Sequence, residues 1–162
     1  MLAELGRRGY AVFEEAGRRV VRRELASGGD GVPWRDMLRF TALTIAEALA
    51  TYAEAVRAPP PAFLDRSVVE QACWLKRTGR PVPVHVAAFL ARRPFHPFVF
   101  FAPPWPEIFE ADSERRHDLA AALEEYAALL PAYEALGYEI VLLPKTPVQA
   151  RVDFVITRLG VH

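Results

Sequence analysis

A single cysteine, Cys73, stands among the 162 residues. No disulfide can close within the chain, and no C-x-x-C pair offers a zinc site. An excess of charge of either sign is missing too, since twenty basic residues balance twenty acidic ones. That balance leaves no electrostatic footprint for nucleic acid or for an anionic membrane surface. No apolar run approaches the roughly 18 residues of a membrane span. The opening residues, Met1 to Arg8, hold no apolar signal-peptide core. The expectation is a cytoplasmic protein with neither a nucleic-acid nor a membrane partner. His85, His96, His117 and His162 stand at no metal-ligand spacing. There is no internal repeat and no low-complexity tail.

What is present is apolar material, 52% of the residues, enough for the core of one domain spanning 1–162. Eighteen of the twenty basic residues are arginine, whose planar fork suits bidentate contact with phosphate. Residues 2–8 read as the last turns of a helix ending at Gly9. Tyr10 to Phe13 reads as a strand, and 15–26 as a helix with Ala16, Val20, Val21 and Leu25 on one face. Ser27 to Gly31 is a break. Pro33 sits where a first-turn proline opens a helix, continued by Leu38, Leu43, Ile45, Leu49 and Tyr52 to about Arg57. Three prolines, 59–61, stop it. Ala62 to Leu64 is a short buried strand ending at Asp65, and Ser67 caps a helix to about Arg77. A short helix over 83–92 precedes a buried strand from Phe98 to Ala102. Asp112 or Ser113 then caps a long helix through Leu119, Leu123, Tyr126, Leu129 and Leu130, kinked at Pro131 and stopped at Gly137. Tyr138 to Leu143 is the last strand, and Pro147 opens a helix to Leu159.

Strands separated by helices predict parallel pairing through right-handed crossovers. Consecutive apolar positions predict a sheet covered on both faces, a three-layer α/β fold. In such folds ligands bind beyond the carboxyl ends of the strands. Those ends carry Glu14 and Glu15; Asp65, Arg66 and Ser67; Pro103, Pro104 and Trp105; and Pro144 and Lys145. Carboxylates hold Mg²⁺ and cations neutralise phosphate, so this edge suits a magnesium–nucleotide. An apolar strand ending in Asp65 is the pattern of a magnesium-fixing carboxylate. An aspartate there also ends strands or caps helices without any metal. Arg115 and Arg116 read either as lid arginines or as a solvated first turn. Trp34 and Trp105 read as core or as base-stacking residues, and Cys73 as packing.

The run Phe98-Val99-Phe100-Phe101-Ala102-Pro103-Pro104-Trp105-Pro106-Glu107-Ile108-Phe109, followed by Ala111-Asp112-Ser113-Glu114-Arg115-Arg116 and by Leu136 to Lys145, resembles small bacterial AAA-domain ATPases. These are P-loop proteins similar to nicotinamide riboside kinases. Gly9 to Arg18 and Phe63-Leu64-Asp65-Arg66-Ser67 match as well. The resemblance implies ATP and Mg²⁺ as cofactors and phosphoryl transfer to a small nucleoside-like substrate. It implies Asp65 as the magnesium-associated carboxylate with Glu15 as a second metal partner, and Glu14 or Glu15 as a base on the substrate side. It further implies Arg66, Ser67 and Lys145 as nucleotide-binding residues, Lys145 with Pro144 near the adenine. Arg115 and Arg116 would stabilise charge on the transferring group.

The pattern departs at one place. Family members open with a strand, a GxxxxGK[ST] loop and a helix whose end is similar to Leu2–Tyr10, and no GxxxxGK[ST] occurs in these 162 residues. The amides, lysine and hydroxyl that cradle phosphate and magnesium are therefore missing from the sequence. The expectation is an N-terminally truncated P-loop fold without its central first strand, impaired or inactive as an enzyme. Either the strand ending at Asp65 pairs directly with the one starting near Phe98, or the gap recruits another strand. The alternative is a non-catalytic nucleotide-fold module that acts through self-association or a partner at the exposed sheet edge.

Overall fold

The computed structural model describes residues 1–106 and 119–161. Its elements run α1 (Leu2–Arg7), β1 (Ala11–Phe13), α2 (Ala16–Ser27), α3 (Met37–Ala55), β2 (Ala62–Leu64), α4 (Val69–Arg77), α5 (Val84–Ala91), β3 (Phe98–Phe101), α6 (Leu119–Ala135), β4 (Glu139–Leu142) and α7 (Val148–Leu159). This is the order that the apolar periodicities predict. The chain divides into two compact units, Met1–Gln71 and Ala72–His162.

In the first unit β1 and β2 pair in parallel, Ala11 opposite Ala62 and Phe13 opposite Leu64. The ladder continues one step, because the Asp65 amide donates to Phe13 O at 2.9 Å. That bond fixes Asp65 at the carboxyl end of the pair. Leu5 of α1 and Val20 and Val21 of α2 are buried. α3 buries Thr41, Thr44, Ile45, Ala48, Thr51 and Ala55, a stripe spaced as one helical face requires. Leu38, expected on that face, is 50% exposed. The expected proline start is also displaced. Pro33 lies in a turn, and Asp36 caps the helix by accepting from the Arg39 amide at 2.9 Å. A side-chain acceptor satisfies an orphan amide of the first turn, which proline cannot do.

The Gly-rich break between α2 and α3 folds around one buried carboxylate. Gly28 ends α2 with φ of 72°. Glu24, 7% exposed, accepts from the Gly31 amide at 3.0 Å, while Arg39 Nη1 meets Asp30 at 3.0 Å across the loop.

In the second unit β3 and β4 pair in parallel, Phe98 opposite Glu139 through Phe101 opposite Leu142. Val86, Leu90, Leu129, Val141, Leu143, Val152 and Val155 are buried with Cys73. Phe101 and Tyr138 each pack edge-on against Tyr133, at ring-centroid separations of 5.4 and 6.0 Å. α6 runs through Pro131 without ending. Gly137, at φ 80°, follows its end.

Of the two alternatives for the gap in the sheet, direct pairing is not the one seen. The strand ending at Asp65 does not pair with the one starting at Phe98, since the described strands form two separate two-stranded ladders. β1, β2 and β3 are half-buried throughout, and Leu142 of β4 is 53% exposed. A strand in a two-stranded ladder has a neighbour on one side only, so half its backbone edge lacks a sheet partner.

Candidate functional site

Beyond the carboxyl ends of β1 and β2 lies a cleft. It is lined by Glu14 and Glu15 from the β1–α2 connection, by Gly17 in the first turn of α2, by Thr44, Ala48 and Thr51 of α3, and by Leu64 through Ser67 with Gln71. The site residues expected in the first half of the chain thus share one cavity. Parallel pairing explains why: both strands run the same way, so both strand-to-helix connections emerge on the same edge.

The three carboxylates are held differently. Glu14 forms a two-pronged pair with Arg22 of α2, one contact at 2.7 Å. The Arg22 guanidinium holds the Glu14 carboxyl below its ordinary pKa. Glu15 Oε1 lies 3.5 Å from Arg66 Nε, and its Oε2 lies 3.7 Å from Arg18 Nε. It stands as N-cap residue at the start of α2, where the helix dipole favours negative charge. Asp65 is exposed. Among the described residues no side chain pairs with its carboxylate. Gly17 permits the close approach of Glu15, because a Cβ at that position would lie 3.3 Å from both Glu15 Oε1 and the Phe40 ring.

Two neighbours of Asp65 have distinctive local roles. Arg66 adopts φ of 67°, a left-handed conformation that L-residues rarely enter. Ser67 builds a capping box for α4: its Oγ accepts from the Val69 amide at 3.1 Å, while Glu70 accepts from the Ser67 amide at 2.9 Å. The Ser-x-x-Glu spacing carries that signal in the sequence. Behind the cleft Glu47 accepts from Arg19 and Arg23, both at 2.8 Å, and Arg19 reaches Thr51 Oγ1 at 3.3 Å. These contacts tie α2 to α3. Thr44, Thr51, Gln71 and Glu47 went unnoticed in the sequence, although Thr44 and Thr51 stand seven apart on one helical face.

The remaining expected residues lie elsewhere. Lys145 is exposed in the turn after β4. It stands outside the shallow groove that Pro144 and Thr146 form with Phe154 and Arg158. Arg115 and Arg116 fall outside the described residues. The Arg151 guanidinium lies 5.7 Å from the centre of the Trp105 ring. His96 Nδ1 accepts from the Phe98 amide at 3.0 Å, and Cys73 is buried with Sγ 3.6 Å from Ala128 O. Among the described residues no group of three His, Cys, Asp or Glu side chains comes together to hold a metal ion.

The Glu14–Arg22 pair has a pH signature. A carboxyl whose pKa is depressed on folding contributes stability above its unfolded value and loses it as pH falls through the folded value. Glu14→Gln is therefore expected to cost less than about 1 kcal/mol near neutral pH, because the pair is well exposed. The difference from the parent should vanish once pH falls below the depressed folded value. Urea midpoints of the two proteins across that range check it, and a gap that widens on acidification contradicts it.

The family model of an AAA domain matches residues 1–151. No curated protein and no solved structure matches the chain. No helix among the described residues is long and apolar enough to cross a membrane. A match over nearly the whole length, on a mixed α/β chain with parallel strand pairs, places this chain in the AAA-domain family, a nucleotide-binding domain of P-loop type.

Proposed function

We propose that the cleft beyond β1 and β2 is the substrate and metal side of a kinase-like phosphoryl-transfer site, with a small nucleoside-like molecule as acceptor. One observation carries this reading: Asp65, with no side-chain partner among the described residues, opens into the same cleft as the Glu15–Arg66 pair. Mg²⁺ takes one or two carboxylates and completes its shell with water and phosphate oxygens. Asp65 and Glu15 are donors of that kind. The 162 residues contain no GxxxxGK[ST], so they supply no phosphate cradle of that kind. Magnesium, when bound, supplies charge neutralisation at the transferring group.

The chain's own residues take distinct parts. Asp65 holds the metal and Arg66 neutralises an anionic group beside it. Glu14, kept ionised by Arg22, accepts a hydrogen bond from the acceptor hydroxyl and orients it. Ser67 acts indirectly, because its capping box sets the Asp65–Arg66 turn.

Manganese serves as a spectroscopic stand-in for magnesium. Asp65→Asn is expected to weaken Mn²⁺ binding roughly ten- to hundred-fold, the range for losing one charge-assisted contact. Electron paramagnetic resonance titration reads the change, and equal affinity in both proteins sinks the metal assignment. ATP hydrolysis by the 162-residue chain is expected to stay below the ~1 s⁻¹ floor of ordinary kinases.

A second reading is favoured by the two separate ladders. Strands with one hydrogen-bonded neighbour accept further strands, so self-association through the edge of β2 would make the chain a binding module. Light scattering over a concentration series separates the two, because a monomer throughout leaves only the first.

A further inference from the structure

One buried hydroxyl of α3 breaks the habit of its neighbours. Thr41 donates to Met37 O at 2.7 Å and Thr51 to Glu47 O at 2.9 Å, the usual way a helical threonine satisfies itself four residues back. Thr44 is 1% exposed, yet its Oγ1 has no hydrogen-bond partner among the described residues, and neither has the buried Oε1 of Gln71. Both side chains line the cleft that holds Glu15 and Asp65. Buried polar atoms are nearly always paired. Two orphans lining one cleft, on two different elements, point to a group that pairs them on binding.

The chemistry of that group follows from the atoms. Gln71 Oε1 only accepts, so the incoming group must donate. The Thr44 hydroxyl both donates and accepts, and it is fully satisfied only by a group that accepts as well. A carboxylate cannot donate, and an ammonium cannot accept. The cavity volume is about 20 Å³, room for a single water-sized group. An alcohol donates, accepts and fits. We propose that Thr44 and Gln71 form a specificity pocket for one hydroxyl of the substrate, so that the cleft selects a polyol such as a ribosyl group. The assignment presupposes that this cleft is the substrate side of the site.

The test uses the full chain with D-ribose and adenosine as probes, titrated by calorimetry and by amide NMR shifts. Binding of both is expected in the parent protein and in Thr44→Ser. Thr44→Val and Gln71→Met are expected to weaken both by about ten-fold, the loss of one hydrogen bond to a buried group. Their melting temperatures should not fall, because a methyl replaces an oxygen that had no partner. Binding of D-ribose but not adenosine, lost in the same two variants, supports the pocket while sinking the nucleoside reading of the cleft. Adenosine binding that ignores both variants overturns the pocket and leaves that reading standing. A melting temperature several degrees lower in Thr44→Val would show the hydroxyl already satisfied inside the protein, by an internal water for example, and overturns it. So does failure of both probes to bind the parent protein.

Discussion

Gly31→Val is expected to destabilise the protein by about 3 kcal/mol, the upper part of the range for forced overpacking. A Cβ on Gly31 would stand 2.6 Å from Leu43 Cδ1 and 2.8 Å from Glu24 Oε2. Leu43 is a side chain of α3, and Glu24 is buried and engaged with the Gly31 amide itself. Glu24 cannot yield cheaply. Moving Glu24 strands a buried carboxylate, and moving the loop breaks the hydrogen bond that anchors it. Gly29 is confined by the same carboxylate, with its Cβ position 2.4 Å from Glu24 Oε2. A urea midpoint for Gly31→Val, alongside Gly28→Ala as a control, measures the effect. The control is strained by its φ of 72° but has open space around it, so its cost should be the smaller. Equal midpoints for Gly31→Val and the parent would mean that the loop opens freely and that Glu24 does not clamp it.

Arg66→Gly should move stability and binding in opposite directions. The left-handed conformation at Arg66 costs an L-residue roughly 1–2 kcal/mol, and glycine none of it. Glycine returns part of that through its freer unfolded chain, so a net gain of about 1 kcal/mol is expected. The same change removes the guanidinium beside Glu15. Affinity for ADP as probe is then expected to fall roughly ten- to hundred-fold, the range of a charge-assisted contact. Arg66→Asn separates the two effects, since asparagine tolerates the backbone conformation without supplying charge. Urea midpoints and calorimetric titration measure them. Strain retained at a binding residue is the pattern of a functional turn. A glycine variant no more stable than the parent would remove the strain from the account, and unchanged ADP affinity would remove the binding role.

Much of the fold was legible because local signals agreed with one another. Runs of apolar residues, turn glycines and the Ser67 cap together placed every described element in order. Asp65 was placed at a strand end from three apolar residues and a charge. Where competing signals existed, the reading slipped. Pro33 looked like a helix start, yet Asp36 supplies the side-chain acceptor and wins. Leu38 looked like core, yet α3 turns a threonine-rich stripe inward. Glu14 and Glu15 were alike as neighbours in sequence. Only the fold paired one with Arg22 and the other with Arg66 and Arg18.

Amino-acid order alone determined the α/β class, the parallel sense of the strands and the chemical types gathered at their carboxyl ends. Periodicity and turn chemistry act over a few residues and are read without coordinates. Tertiary structure alone decided that the strands form two ladders rather than one sheet, that Asp65 keeps a carboxylate without a side-chain partner among the described residues, and that the Thr44 and Gln71 oxygens line one cavity unpaired. Hydrogen-bond satisfaction depends on which distant groups arrive at the same point, and no local pattern in the chain encodes that.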